Sequence, residues 1–519
     1  MNKNFATLLG EEFNWTFTEN GQIARSSTGS SLLDLYGTVG ALRTRPGDVI
    51  DMFASAFAED RLLATKLSFY ARNIRGGLGE RTVSRFMWRW LAINVPEIMK
   101  KNMHLVPVFG RWDDLYMFID TPIENEMWGF ISTQLVEDIK TIRTKGKSPS
   151  LLAKWLKSVN SSSLKTRALG RYTANKLGFS ERDYRRILSN IRGALGNAVV
   201  EKKMSANNWN EIDFEKVCSK AMTNSRKAFS KHDGERFVKY LEAVKKGDAV
   251  IHSATLYPYD ILEKAGLSAG YYTDGRRGYY SGRHDVYGLA SWDETLEAQW
   301  NALPNYVENG ENVLIVADTS GSMQGRPVCT SIGLGIYFAE HNKGQFHNQF
   351  MTFSSTPHFI TLKGATLKDK VACVDHDDSN TNLEAVFELL LDVAVKNKVS
   401  QEDMPAKIVV ISDMEIDSVQ NGYSFMSRNS RSTSRKVDFT TELKTRFAHA
   451  GYELPDMVYW NVDSRNGNVF HATKDEHGIQ LASGQSPSVF KGILNAVGVT
   501  AYDAMLEVLN SEEYSAVTI

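Results

Sequence analysis

The stretch VLIVADTSGSM, residues 313 to 323, constrains the fold more than any other in this chain of 519 residues. Its apolar residues, Val313 to Ala317, are consecutive rather than alternating, so a strand built from them is buried on both faces. Such a strand needs helices above and below it, which selects a parallel α/β sheet over an antiparallel one with a wet face. The sequence that follows meets this requirement. NVLIVAD (312–318), FMTFS (350–354), KIVVIS (407–412) and MVYWNV (457–462) alternate with helical patterns near 326–342, 382–396, 436–450 and 487–496. PHFITLK (357–363) follows FMTFSS closely enough to be its hairpin partner, an antiparallel edge strand.

In an open sheet of this kind the ligand crevice lies beyond the carboxyl ends of the strands. Asp318 ends the first strand at that edge, and Ser320 and Ser322 follow it at alternate positions in a loop kinked at Gly321. SNTNLEAVFELLL (379–391) brings Thr381 to the start of a helix, and KIVVISDMEID ends a later strand in Asp413. These five side chains offer only carboxylate and hydroxyl oxygens, the donors that suit Mg²⁺ or Mn²⁺ rather than zinc. The alternative for DTSGSM is an Asp cap with serine-rich turn chemistry. No phosphate loop ending in Lys-Ser or Lys-Thr is present. An aspartyl phosphatase needs a second Asp where this chain has Ser320, so an enzyme is not expected.

At these residues the sequence resembles a von Willebrand factor A domain with its metal-ion-dependent adhesion site, and the likeness covers about 310 to 519. The resemblance implies a Rossmann-like α/β domain with Asp318, Ser320, Ser322, Thr381 and Asp413 around a divalent metal. It also implies that the metal keeps one position open for a carboxylate of a protein partner, a role in binding and not in catalysis.

Before residue 300 the pattern is helical. Apolar residues recur at three- and four-residue steps in 48–74 and 81–95, and further helices are expected near 124–144, 149–158, 181–196, 212–230 and 233–246. Little strand signal precedes 300. Consecutive helices with short links suggest an irregular, HEAT-like stack of helix pairs. The expected organisation is therefore an all-α repeat region over 1–300 and an α/β domain over 301–519. AGYYTDGRRGYYSGRHDVYG (269–288) reads as a long surface loop that either stacks bases and binds phosphates or only connects the domains.

Charge is unevenly spread along the chain. The net charge is −1, yet Lys140 to Lys203 holds sixteen Lys or Arg against Glu181, Asp183 and Glu201. A clustered excess of this kind marks either a nucleic-acid contact or a set of solvated helix faces. Cys218, Cys329 and Cys373 are too few and too widely spaced for a disulfide framework, and reduced, mostly buried thiols are expected. No apolar run reaches membrane-spanning length, and MNKNFATLLGEEFNWTF lacks the layout of a secretion signal, so a cytoplasmic protein is expected.

Three motifs in the helical half carry a second resemblance. RNIRGGLGER (72–81), FGRWDDLY (109–116) and KMSANNWNEIDFEKVCSKAM (203–222) look like an uncharacterised family of plant and large-phage proteins that joins a helical region to a von Willebrand A-like domain. That order of parts is similar to the Ro ribonucleoprotein, or TROVE-domain, family. The Ro resemblance implies helical repeats closed into a single-chain ring, with small or misfolded RNAs bound on a basic outer surface and through the hole. The candidate phosphate contacts are Lys140, Arg143, Lys145, Lys147, Lys154, Lys157, Lys165, Arg167, Arg171, Lys176, Arg182, Arg185, Arg186 and Arg192. Arg72, Arg75 and Arg81 are further ones, although GGLGER also reads as a plain helix-to-helix turn. For FGRWDDLY the plain reading is Trp112 as a core anchor, with Arg111, Asp113 and Asp114 forming a helix start with local ion pairs. The competing function is a metal-dependent protein adaptor whose partner supplies the carboxylate and whose helices are a passive scaffold.

Overall fold

The computed structural model describes residues 13–144, 147–270, 286–307, 312–377, 379–417, 439–465 and 469–519. It begins with a two-stranded antiparallel ribbon, β1 (Trp15–Phe17) and β2 (Ile23–Arg25), which the weak strand signal before residue 300 did not announce. Helices then follow as α1 (Ser31–Thr38), α2 (Pro46–Glu59), α3 (Arg61–Arg72), α4 (Arg81–Asn94), α5 (Glu124–Thr141), α6 (Leu164–Lys176), α7 (Glu181–Ala194), α8 (Ser219–His232), α9 (Gly234–Lys246) and α10 (Pro258–Ala265). The continuous pattern over 48–74 is broken at Asp60, whose extended backbone ends α2 while its carboxylate caps Leu63 N of α3 at 2.8 Å. Helix α6 was not expected, because it buries only Gly170, Thr173 and Ala174 and so shows almost no apolar stripe. Conversely, the helix expected at 149–158 is a single turn, Leu152–Trp155.

A second ribbon, β3 (Leu267–Gly270) with β4 (Val286–Leu289), flanks the Gly-, Tyr- and Arg-rich stretch, whose residues 271–285 lie outside the described residues. The main sheet then follows as β5 (Val313–Asp318), β6 (Gln349–Phe353), β7 (Pro357–Thr361), β8 (Lys407–Ser412), β9 (Asp456–Asn461) and β10 (Ile479–Ser483). Their spatial order is β10-β9-β8-β5-β6-β7. All neighbours are parallel except the β6–β7 hairpin, as the sequence predicts. β10 escaped the sequence reading because Gln480 and Ser483 interrupt its apolar run; Gln480 is buried and donates to Ala496 O at 2.5 Å. The accompanying helices are α11 (Arg326–His341), α12 (Leu383–Asn397), α13 (Phe439–His449), α14 (Val489–Asn495) and α15 (Ala501–Leu509). Every residue of β5 and β8 is buried, which fits central strands covered on both faces.

Packing does not stop at residue 300. One apolar core runs from Leu32 through Ile191 and from Leu256 to Val517, while Val200, Phe214, Phe229, Phe237 and their neighbours up to Ile251 form a separate, smaller one. The helical and α/β halves meet backbone to backbone at Gly40, where a Cβ would lie 2.5 Å from the backbone of Gly484. Gly40 N also donates to Ser483 Oγ at 3.1 Å, and Ser483 Oγ donates to Tyr36 O at 2.9 Å. The last residues return to the helices: Tyr514 stacks on Phe109, and Thr518 exchanges two hydrogen bonds with Asn102. Of the three thiols Cys329 is buried and Cys373 half-buried, but Cys218, at the start of α8, is exposed. No helix among the described residues is long and apolar enough to cross a membrane.

Candidate metal centre and basic helical surface

The chain leaves β5 to one side, toward β6, and returns on the other side at β8. The crevice between the carboxyl ends of β5 and β8 is therefore where the strand order reverses. Register places Ala317 opposite Ile411, so Asp318 reaches that crevice beside Ser412 and Asp413 follows directly. Asp318 is fully buried, with Oδ1 accepting from Ser320 N at 2.8 Å and Oδ2 from the Ser412 hydroxyl at 2.5 Å. The Ser320 and Ser322 hydroxyls lie 3.2 Å apart. Asp413 is 3% exposed; its Oδ1 accepts from Glu415 N at 3.2 Å, but its buried Oδ2 has no partner among the described residues. Thr381 arrives from the loop before α12 and is clamped through its backbone: its N donates to Asp417 Oδ2 at 3.1 Å, and Asp417 N donates to its O at 3.0 Å. Gly321 N reaches Ser379 O at 3.4 Å, which ties the first loop to the second. The structure thus brings all five predicted residues to one edge of the sheet.

Neither Asp318 nor Asp413 has a salt-bridge partner among the described residues. Burial raises the carboxyl pKa of Asp318, and the negative charge of Asp413 raises it further against the Ser320 and Ser412 hydrogen bonds. Burial also raises that of Asp413, opposed by Ser322 and the Glu415 amide. Two desolvated carboxylates that repel each other, one with an orphaned oxygen, beside two paired hydroxyls, fit a hard divalent cation. Ser322 is only half-buried, so the cluster has a side open to solvent. The backbone pays one local cost here: Met414, directly after Asp413, is held at φ 67°, with its N bonded to Ser412 Oγ at 3.0 Å.

The sequence reading missed what supports these side chains. Ser412 orients Asp318, and Asp417 positions Thr381, although both stand in the same SDMEID run that supplied Asp413. The turn between β1 and β2 buttresses that run. Thr18 Oγ1 donates to Ile416 O at 2.7 Å, Asn20 Nδ2 to Glu415 O at 2.7 Å and Glu19 N to Glu415 Oε2 at 2.5 Å, and Gly21 bridges Asp417. No local signal could have joined residues 18–21 to 415–417.

The predicted basic residues divide into two groups. Arg192 serves the fold: its guanidinium donates to Ala153 O, Ser158 Oγ and Leu156 O at 2.7 Å each. Arg167 donates to Ser161 O at 2.9 Å, and Lys157 lies 3.2 Å from Asp113. Lys140, Arg171, Lys176 and Arg186 pair with Glu137, Glu181, Glu124 and Asp183 at 3.0 to 4.0 Å. Lys154 lies over the Trp155 ring. Arg143, Lys147, Lys165, Arg182 and Arg185 are exposed and have no ion-pair partner among the described residues, and Lys145 lies outside them. On α7, Tyr184, Leu188 and Ile191 face inward, which turns Arg182, Arg185, Arg186 and Ser189 outward. With Val159, Asn160, Asn190 and one acid, Glu181, these four line an open cleft of about 560 Å³.

The glycine motif is a helix-ending turn. Leu78 N, Gly79 N and Glu80 N donate back to Tyr70 O, Asn73 O and Ala71 O, and buried Glu80 pairs with Arg43 at 2.6 Å. Arg72 is buried against Asp114, whereas Arg75 and Arg81 reach the surface.

Two family models match the chain in succession. A domain of unknown function, DUF2828, matches residues 18–128 and 173–310, and a second, DUF7788, matches 312–517. An uncharacterized protein, L728, of Acanthamoeba polyphaga mimivirus is 27% identical over 538 residues, covering 96% of this chain and 87% of that protein. Among solved structures, the crystal structure of the Deinococcus radiodurans RO (RSR) protein aligns with 89% of this chain and 92% of its own at 12% identity, with a TM-score of 0.36. The chain is thus similar, nearly end to end, to a viral protein, and its two halves are similar to two families whose functions are undescribed.

Proposed function

We propose that this chain binds RNA through the basic surface of its helical half, and that its α/β half carries a divalent-metal site, for Mg²⁺ or Mn²⁺, that engages an acidic group of a protein partner. The observation that carries the RNA reading is the outward face of α7, where Arg182, Arg185 and Arg186 line one open cleft. Arg182 and Arg185 have no acidic partner among the described residues, while the acids of the same face, Glu181 and Asp183, are paired with Arg171 and Arg186, so the cleft keeps a positive surplus for an RNA phosphate. Such contacts position a nucleic acid without reading its sequence, so structured small RNAs and single-stranded ends are both suitable ligands.

Asp318, Ser320, Ser322, Thr381 and Asp413 would hold the metal. Bound there, it supplies a Lewis-acidic point of attachment for a carboxylate. The chain's own residues then orient the ligands: Ser412 fixes Asp318 and Asp417 fixes Thr381. We read the site as one for binding.

Filter binding of the full chain to several unrelated RNAs across a salt series tests the proposal. The expected result is affinity for all of them that falls steeply with salt, with a slope reduced by about three when Arg182, Arg185 and Arg186 are all replaced by Gln. Absence of RNA affinity at low salt contradicts it and leaves a metal-dependent protein adaptor as the remaining function.

A further inference from the structure

Asp113 and Asp114, in the FGRWDDLY motif, are 3% and 0% exposed at their side chains. Asp114 pairs with Arg72 at 2.9 Å and Arg85 at 2.5 Å. Asp113 Oδ2 alone is approached by Arg81 Nη2 at 3.0 Å, Arg111 Nη2 at 3.0 Å, Lys157 Nζ at 3.2 Å and Arg85 Nη2 at 3.6 Å. Four cationic heads therefore sit within two contact lengths of one another around a single oxygen. Five cations against two carboxylates leave three positive charges without a partner in this cluster.

The surplus faces outward. Arg81, Arg111, Arg85 and Lys157 are 43%, 30%, 26% and 26% exposed, while Arg72 and both acids are buried beneath them. The hydrogen bonds made by Arg81, Arg85 and Arg111 leave the Nη1 group of each without a protein acceptor among the described residues. The heads are also preorganised: the Arg111 guanidinium lies 3.9 Å from the centroid of the Trp155 ring, and Arg85 Nη2 is pinned by Asp113 O at 2.9 Å. Burial and the charges of Arg85 and Arg111 lower the pKa of Arg81 despite both carboxylates, as expected where positive charge exceeds what the fold neutralises. A pair of ordinary surface salt bridges would show equal numbers of each sign.

We infer that Arg81, Arg85, Arg111 and Lys157 form an oxyanion site for a phosphoryl group, with buried Asp113 and Asp114 as the template that gathers them. A phosphoryl group brings two negative charges and several acceptor oxygens, which matches convergent guanidinium forks better than a single carboxylate does. The site accounts for what both sequence motifs do together: RNIRGGLGER supplies Arg72 and Arg81, and FGRWDDLY supplies Arg111 and both acids. Its use for an RNA phosphate rests on the function proposed above, whereas anion binding itself does not.

Titration calorimetry of the full chain with pyrophosphate, at constant ionic strength in chloride, tests the site. One pyrophosphate per chain is expected, with affinity reduced about tenfold or more in Arg81→Gln and unchanged in Lys216→Gln, whose side chain pairs with Asp213 outside the cluster. Circular dichroism melting confirms that each variant is folded. No binding by the wild-type chain, or equal binding by Arg81→Gln, overturns the inference. Competition with a single-stranded RNA separates the sources. Pyrophosphate that displaces the RNA identifies an RNA phosphate as the ligand, and pyrophosphate that binds without displacing it identifies a free phosphate compound. RNA binding that persists without any pyrophosphate binding removes this site and leaves the RNA reading intact. Pyrophosphate binding by a chain with no RNA affinity does the reverse.

Discussion

Asp114 and Asp413 are both buried carboxylates, and their surroundings are opposite. Asp114 lies between the guanidinium groups of Arg72 and Arg85, in a cluster where positive charge exceeds negative. Asp413 faces another buried carboxylate, Asp318, and keeps an oxygen with no hydrogen-bond partner among the described residues. Burial alone therefore says little about what an acid does. The sign of the local surplus says more: in the reading proposed above, Asp114 is the structural component of an anion site, whereas Asp413 is the binding component of a cation site.

This contrast predicts opposite responses to the same kind of substitution. Asp114→Ala leaves the Arg72 guanidinium buried and uncompensated, and is expected to destabilise the chain by about 3–5 kcal/mol in equilibrium denaturation. Asp413→Asn removes a buried charge that has no salt-bridge partner among the described residues, and in the presence of a chelator is expected to stabilise the chain by roughly 1–3 kcal/mol. A lower Tm in Asp413→Asn under those conditions would mean that Asp413 is satisfied within the fold and that the contrast is false. Adding Mg²⁺ or Mn²⁺ sharpens it further, because the wild-type Tm should rise while that of Asp413→Asn stays put. The smallest effect belongs to the solvated pairs. Arg171→Ala, which breaks an exposed contact with Glu181, should change stability by less than about 1 kcal/mol and serves as the reference for a charge with no structural task.

The two regions also differ in how far their sequence disclosed them. The clustering of Asp318, Ser320, Ser322, Thr381 and Asp413 was legible because each stands near the end of an apolar strand or the start of a helix, where chain direction alone sends it to the same edge. Their support was not. Ser412 looked like the last residue of a strand, and the Thr18–Gly21 turn braces Glu415 and Asp417 across nearly 400 positions of sequence. In the helical half, counting Lys and Arg found the basic segment but could not separate Arg182 and Arg185, which face solvent, from Arg192, which holds three backbone and side-chain acceptors. That distinction depends on helix phase and on partners distant in sequence. For the same reason Arg111, Asp113 and Asp114 read as a local helix start. Their local bonds are present, and what the sequence concealed is that Arg72, Arg81, Arg85 and Lys157 converge on them from three other segments.

Helix α6 and strand β10 show the same limit in the fold. Both are held by small or polar buried residues, Gly170 and Thr173 in one and Gln480 and Ser483 in the other, so the hydrophobic period that announces an element is faint. The shared core between the halves was equally hidden, since it depends on Gly40 and Gly484 coming close enough for their backbones to touch.

The central claim is that the helical half holds RNA and that the metal site serves a different ligand. The most direct measurement compares RNA affinity in low salt for the wild-type chain, for Asp318→Ala, and for the combined replacement of Arg182, Arg185 and Arg186 by Glu. The account predicts unchanged affinity in Asp318→Ala and a loss of about 100-fold or more in the triple replacement. RNA affinity that survives the triple replacement, or that disappears with Asp318→Ala, would contradict it.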